Sequence, residues 1–393
     1  MSEMTSCPYS KKCGGCTYSD KTYAEQLEIK NTLVRKLLGQ TAKESGIKLE
    51  PIVGAKEPLY YRNKVHSVFS RTKKGQIIRG IYRRDSHEVI SVSGCLLEDK
   101  KADAIIEEIK RLVPSFKYRI FDEDNGTGWL RHVLVRTGSC GGKEEIMVIL
   151  VTADVAFPGK NNVVKALRNA FPEITTIIQN INKKRTSIVL GDRDIVIYGK
   201  GFIEDDRLGL KFRISPGSFF QINSEQTKKL YGLALEFAQL TGKETVLDAY
   251  CGTGTIGMFM SRSAKKVTGV ELNPDAVRDA RDNAKRNGIT NIDFICADAT
   301  KYMQEHADLS FDVLCMDPPR SGSTPEFIKA AAGMNIGRVV YVSCNPETLA
   351  RDLKLFAKQG YKLKKLVPVD MFPLTDNIEC CALLERKREN NRG

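Results

Sequence analysis

Residues 245–255 read Thr245-Val246-Leu247-Asp248-Ala249-Tyr250-Cys251-Gly252-Thr253-Gly254-Thr255. The apolar, β-branched opening reads as a buried strand. Gly252 and Gly254 allow a sharp turn and a close approach of the backbone to a ligand. A helix follows from near Ile256. A second apolar run, Lys266 to Glu271, ends in an acid 23 residues after Asp248. A carboxylate at that spacing is placed to accept hydrogen bonds from ribose hydroxyls. The turn lacks the full G-x-G-x-x-G of a dinucleotide binder, so a nucleoside without a pyrophosphate is the better fit.

The pattern extends outward from this unit. From Ser224 onward, helices alternate with strand-like runs at Asp293–Cys296, Val313–Asp317 and Val339–Ser343. That alternation predicts an α/β domain with a mainly parallel, doubly wound sheet over residues 215–393. Residues 51–214 read differently. Short strands at Gln76–Tyr82, Leu130–Thr137 and Ile146–Thr152 are interrupted by helices at Lys100–Leu112 and Lys160–Ala170. This predicts an α+β domain. Residues 1–50 hold a cysteine-rich segment and a helix over Asp20–Leu38, with Asp20 as N-cap and Gly39 as stop. Lys387–Gly393 reads as a solvated basic tail.

The 393 residues are 41% hydrophobic and 28% charged, which fits a folded, soluble protein. No apolar run approaches the roughly 18 residues that cross a bilayer. Met1–Cys7 has neither a basic nor an apolar leader, so a cytoplasmic protein is expected. Lys and Arg outnumber Asp and Glu by 61 to 48, a net charge of +13 that favours a polyanionic partner. Solubility alone is the plainer reading of that charge. The 11 cysteines, in a chain without an export signal, point to metal ligation or catalysis rather than disulfides.

Two strand ends carry candidate chemistry. Asp317-Pro318-Pro319-Arg320 follows one apolar run, and the paired prolines stiffen the loop that presents Asp317. Ser343-Cys344-Asn345-Pro346 follows another and precedes a helix. A cysteine near a helix N-terminus is expected to have a lowered pKa. Cys251, Cys296 and Cys315 read instead as buried, inert thiols.

Five segments together resemble the RNA 5-methyluridine methyltransferase family. They are Ser215–Asn223, Asp248–Gly254, Asp317–Arg320, Ser343–Arg351 and Asp370–Glu379. The turn after Asp248 is itself similar to the first motif of class I, Rossmann-like methyltransferases. The resemblance is to the iron–sulfur-containing type that acts on 23S ribosomal RNA and lacks an N-terminal oligonucleotide-binding barrel. It implies methyl transfer from S-adenosylmethionine to C5 of a uridine. Cys344 would add to C6, and Glu379 would be the base that removes the C5 proton. Gln221, Tyr250, Glu271 and Asp317 match the family's cofactor-contacting positions. Thr255, at the end of the glycine turn, and Asp298, at the end of the next strand, join them as candidates; Asp298 reads nearly as well as a helix cap. Where the family often has a histidine two residues before the glutamate, this chain has Asn377.

Cys7, Cys13 and Cys16 offer three thiolates close in sequence, and Cys95 supplies a fourth. Spacing alone fits zinc or an iron–sulfur cluster. The resemblance implies [4Fe–4S]. Between Tyr60 and Glu88, eight Lys or Arg face two acids: Arg62, Lys64, Arg71, Lys73, Lys74, Arg79, Arg83 and Arg84. Tyr60, Tyr61, Phe69 and Tyr82 interleave with them. Phosphate contacts and base stacking are expected there, making 51–214 an RNA-binding domain. A monomer acting on RNA, with no role for DNA or a membrane, is the expectation. The competing readings are a tRNA uridine-5 methyltransferase, a non-catalytic RNA-binding protein, and a small-molecule or adenine-directed methyltransferase.

Overall fold

The computed structural model describes residues 7–83, 86–184 and 188–386. Arg84 of the basic stretch, the leader Met1–Ser6 and the tail Lys387–Gly393 lie outside them. The described residues fall into two compact units. One draws on Met1–Lys21 and Glu57–Ser224, the other on Thr22–Lys56 and Glu225–Gly393. These units are not linear in sequence, as 1–50, 51–214 and 215–393 are.

In the first unit a seven-stranded sheet has the spatial order Val89–Ser91, Ile77–Tyr82, Lys64–Arg71, Leu130–Cys140, Lys143–Thr152, Ile174–Ile181 and Arg193–Gly199. Every neighbouring pair is antiparallel except Lys143–Thr152 with Ile174–Ile181, which the helix Lys160–Ala170 connects. Helix Lys100–Ser115 lays Ile105, Ile106, Ile109 and Val113 against Val133, Val135, Val148 and Leu150 of the sheet. Val133 and Val135, and likewise Ile146, Val148 and Leu150, enter this core at the two-residue period of a strand.

The second unit holds the sheet that the glycine turn predicts. Its strands are β1 (Thr245–Ala249), β2 (Lys266–Glu271), β3 (Ile292–Cys296), β4 (Val313–Met316), β5 (Arg338–Ser343), β6 (Tyr361–Val369) and β7 (Glu379–Arg386). Their spatial order is β3-β2-β1-β4-β5-β7-β6. The first five run parallel, and β7 is inserted antiparallel between β5 and β6. The order reverses between β1 and β4, so the C-terminal ends of those strands open a crevice for ligands.

The N-terminal helix differs from its sequence reading. It spans Tyr23–Ser45 and packs in the second unit. Thr22, not Asp20, is its cap: Thr22 accepts from Glu25 N and the Glu25 carboxylate answers on Thr22 N, a capping box. Asp20 pairs with Lys21 instead. Gly39 stays inside the helix, and Gly46, with φ of 69°, ends it in the left-handed conformation. Val34, Leu38 and Ala42 are buried along one face. Among the described residues, no helix is long and apolar enough to cross a membrane.

Candidate active site

The glycine turn is held from below. Asp248 is buried, and its carboxylate accepts from Gly257 N at 2.8 Å. A Cβ on Gly257 would stand 2.6 Å from that carboxylate oxygen, and one on Gly254 would stand 2.5 Å from the Phe294 ring, so neither position takes a side chain. Tyr250 adopts a left-handed φ of 60°, and its ring lies 5.2 Å from Phe327. The Glu271 carboxylate, at the tip of β2, accepts from Gly252 N at 3.0 Å and from Asn273 N at 2.8 Å. An acid and a turn of backbone amides therefore meet at one strand tip, which suits the hydroxyls of a nucleoside. Thr255 opens the helix Thr255–Ser261, and its hydroxyl lies 3.3 Å from that of Thr253. Asp298 caps the helix Ala299–Glu305 by accepting from Lys301 N. Gln221 belongs to the first unit, where Asn63 donates to its carbonyl at 3.0 Å.

Cys344 and Glu379 come together through strand register. In the β5–β7 pair, Ser343 stands opposite Cys380, so Cys344, just past the end of β5, lies beside Glu379, the first residue of β7, whose carboxylate bears on the thiol. Asp317 emerges from β4, the neighbour of β5. The loop after it is tied to the helix Pro346–Lys358. Asp352 accepts from Ser323 N and from the Tyr341 hydroxyl, both at 2.7 Å. Arg351 donates to the Ser321 and Ser323 carbonyls. The last residue of the Ser343–Arg351 segment is thus a strut for the Asp317 loop.

The electrostatics overturn one expectation. Cys344 is not a low-pKa thiol. Burial, then the facing carboxylates of Glu379 and Asp317, push it up to about 11, and Arg320 only partly opposes them. Burial and the two carboxylates outweigh the nearby helix N-terminus, where Glu347 N is turned to the Asn345 side chain. Glu379, 5% exposed, is pushed up to about 8 by burial and by Asp317, with Arg320 again opposing. Asp317 is pushed up to about 7 by burial. The site is a nucleophile and two carboxyls that hold their protons near neutrality.

A base with a raised pKa is competent only when ionised. Multiple-turnover methylation of RNA, which needs release of the adduct, should therefore rise with pH through about 8, the value for Glu379. Asp317→Asn, which removes a facing negative charge, should move that rise to lower pH. Steady-state turnover across the range checks both; a flat profile from about pH 6 to 10 would remove Glu379 as the base.

Other sequence expectations meet mixed outcomes. Cys251 and Cys315 are buried as expected, but Cys296 is exposed at the end of β3. Arg79 is 2% exposed and paired with Asp103 and Glu107, so it is a core ion pair and not a phosphate contact. Phe69, 2% exposed, belongs to the helix-facing core and has no face for a base. Arg71, Lys73, Lys74 and Arg83 are exposed. One aromatic was overlooked: Phe219 is 72% exposed, two residues before Gln221. Its signal, a large apolar side chain in a segment tied down by Arg136 through the Pro216 and Ser218 carbonyls, emerges only from the fold.

Cys7, Cys13, Cys16 and Cys95 all lie in the first unit, half-buried. Gly14 and Gly94 take left-handed φ beside Cys13 and Cys95. Burial, followed by the proximity of Cys95, pushes Cys16 up to about 12, with Cys13 and Cys7 adding to it. Burial and Glu98 push Cys95 up to about 11. Among the described residues, no group of three or more His, Cys, Asp or Glu is close enough to hold a metal ion. Cys7 bears on Cys13, and Cys95, Cys13 and Cys7 bear on Cys16, so these thiols are near neighbours.

Known proteins share these features. A family model described as tRNA (uracil-5-)-methyltransferase matches residues 159–387. An uncharacterized RNA methyltransferase of Halalkalibacterium halodurans is 42% identical over 97% of this chain and 83% of its own. Another, from Bacillus cereus, is 40% identical over 97% of this chain and 82% of its own. The crystal structure of the Pyrococcus abyssi tRNA (uracil-54, C5)-methyltransferase with S-adenosyl-L-homocysteine superposes with a TM-score of 0.78. It is 28% identical and covers 94% of this chain and 85% of that one.

Proposed function

The chain belongs to the tRNA (uracil-5-)-methyltransferase family, S-adenosylmethionine-dependent enzymes of RNA, and from that premise we propose that it methylates C5 of a uridine in 23S ribosomal RNA through a covalent Cys344 adduct. The observation that supports the chemistry most is the proximity of Cys344 and Glu379 at the adjoining ends of β5 and β7, where Ser343 pairs with Cys380.

Uracil C5 is a weak nucleophile. Cys344 adds to C6 as the thiolate, its proton passing to solvent, and the ring electrons move onto O4. Bound S-adenosylmethionine supplies the electrophilic methyl group that C5 then attacks. Glu379 takes the C5 proton, the C5–C6 double bond re-forms, and the C6–S bond breaks to release the thiolate. Glu271, Tyr250, Thr255, Asp298 and Asp317 are assigned to the cofactor. The target base must leave its stack to reach Cys344. Phe219 is suited to stack against a splayed base.

The ribosomal target rests on the four cysteines, which resemble those of the cluster-bearing members of the family. Cys7, Cys13, Cys16 and Cys95 are proposed to hold a [4Fe–4S] cluster in the first unit. Eleven free cysteines fit a reducing cytoplasm. Anaerobically purified protein should contain iron and sulfide and a visible absorption that dithionite bleaches. Cys16→Ser should lose all three. Protein without iron would leave these cysteines as plain thiols.

A second reading, a tRNA target, is favoured by the likeness to the Pyrococcus abyssi enzyme. Mass-spectrometric mapping of 5-methyluridine in ribosomal RNA and tRNA, from cells with and without the gene, separates the two. Loss at a ribosomal uridine is expected. Loss only in tRNA would transfer the same chemistry to the second target, and loss in neither would contradict both.

A further inference from the structure

The catalytic pair is built from two loops, and a helix remote in sequence fixes one of them. Lys30 of helix Tyr23–Ser45 is fully buried. Its ammonium donates to the Asp370 carboxylate at 2.6 Å, the Phe372 carbonyl at 3.2 Å and the Asn377 carbonyl at 3.0 Å. All three of its donors are used. The same helix face adds two more ties to this loop. The Tyr23 hydroxyl donates to the other Asp370 oxygen at 2.8 Å, and the Gln26 side chain accepts from Leu374 N at 2.9 Å. Leu374 has a left-handed φ of 68°, so these bonds hold a conformation that the loop alone would not favour.

The loop ends at Glu379, and Asn377 is where the clamp meets the site. Its carbonyl is held by Lys30. Its side-chain nitrogen donates to Thr375 at 3.2 Å, and its side-chain oxygen accepts from the Arg320 guanidinium. The Arg320 carbonyl in turn accepts from Asn345, the neighbour of Cys344, at 3.2 Å and from Thr348 at 3.3 Å. Arg320 therefore bridges the nucleophile loop and the base loop. The charged groups facing Cys344 are Glu379, Asp317 and Arg320; those facing Glu379 are Asp317 and Arg320. Arg320 is the cation of both sets.

We propose that Lys30 and Asn377 are positioning residues: Lys30 fixes the backbone of the loop ending in Glu379, and the Asn377 amide oxygen holds the Arg320 guanidinium against both Cys344 and Glu379. The inference rests on the reading of Cys344 as nucleophile and Glu379 as base. It gives the asparagine at position 377 a task that needs no proton relay.

The test is the pH dependence of Cys344 alkylation by iodoacetamide, read peptide by peptide, with neither RNA nor S-adenosylmethionine present. Asn377→Ala deletes the tether to Arg320 and leaves the Lys30 bond to the backbone. Its alkylation midpoint should rise by about one pH unit, and the rate below the midpoint should fall about tenfold. Arg320→Gln should shift the midpoint the same way, and the double variant should shift it no further than Arg320→Gln alone. A wild-type midpoint in Asn377→Ala, or additive shifts, would overturn the proposal. Lys30→Met, if it folds, should slow release of the RNA adduct more than its formation; equal slowing of both would also count against it. Failure of the wild-type protein to form an RNA adduct would sink the proposed function itself, whereas the alkylation midpoints test the inference alone.

Discussion

Cys344→Ala should abolish methylation of RNA, with a loss on the order of 10⁴-fold or more. Cys344 lies beside Glu379 where two adjacent strands end, in the sheet whose β1 carries the glycine turn. Without sulfur addition at C6, C5 lacks the electron density to attack a methyl sulfonium. Binding should survive, because alanine removes one half-buried atom and leaves the Asn345 cap and the Asp352 strut in place. Single-turnover transfer of labelled methyl, run beside an RNA-binding measurement, checks the split. Residual transfer within tenfold of wild type would assign the nucleophile elsewhere.

Glu379→Gln should give the opposite signature: methyl transfer occurs once, and the product stays attached. Glutamine preserves the size of a side chain that is 5% exposed but cannot accept the C5 proton. Turnover should fall by about 10²- to 10⁴-fold while a methylated RNA–protein adduct accumulates. Removing this carboxylate also removes a negative charge facing Cys344, so adduct formation should not slow. Denaturing electrophoresis of radiolabelled RNA reads the adduct directly. Normal turnover would mean that another group, with Asp317 the nearest candidate, takes the proton.

The parts of this account that follow local rules could be read from residues. Gly252 and Gly254 announce a turn because few other residues tolerate it, and alternating apolar runs announce a parallel sheet. Cys344 and Glu379 could be named from the family resemblance, but their pairing depends on the β5–β7 register, which joins residues 35 positions apart. The thiol's raised pKa was misread for the same reason. Sequence showed the helix after Cys344 but not the two carboxylates brought in from other strands. Nothing local marks Lys30 for burial; that follows from a partner more than 300 residues away. Arg79 read as a phosphate contact because it falls in a basic stretch, Tyr60 to Glu88, whereas Asp103 and Glu107 on a later helix claim it. Asp20 misled because Thr22 with Glu25 forms the better cap.

The most direct test of the central claim is to incubate the purified protein with S-adenosylmethionine and target RNA containing 5-fluorouridine. Fluorine at C5 cannot leave as a proton does, so elimination is blocked after methyl transfer. A stable complex is predicted, with a peptide mass that places the methylated fluorouracil on Cys344. Absence of a covalent complex, or attachment to any other residue, would contradict the account.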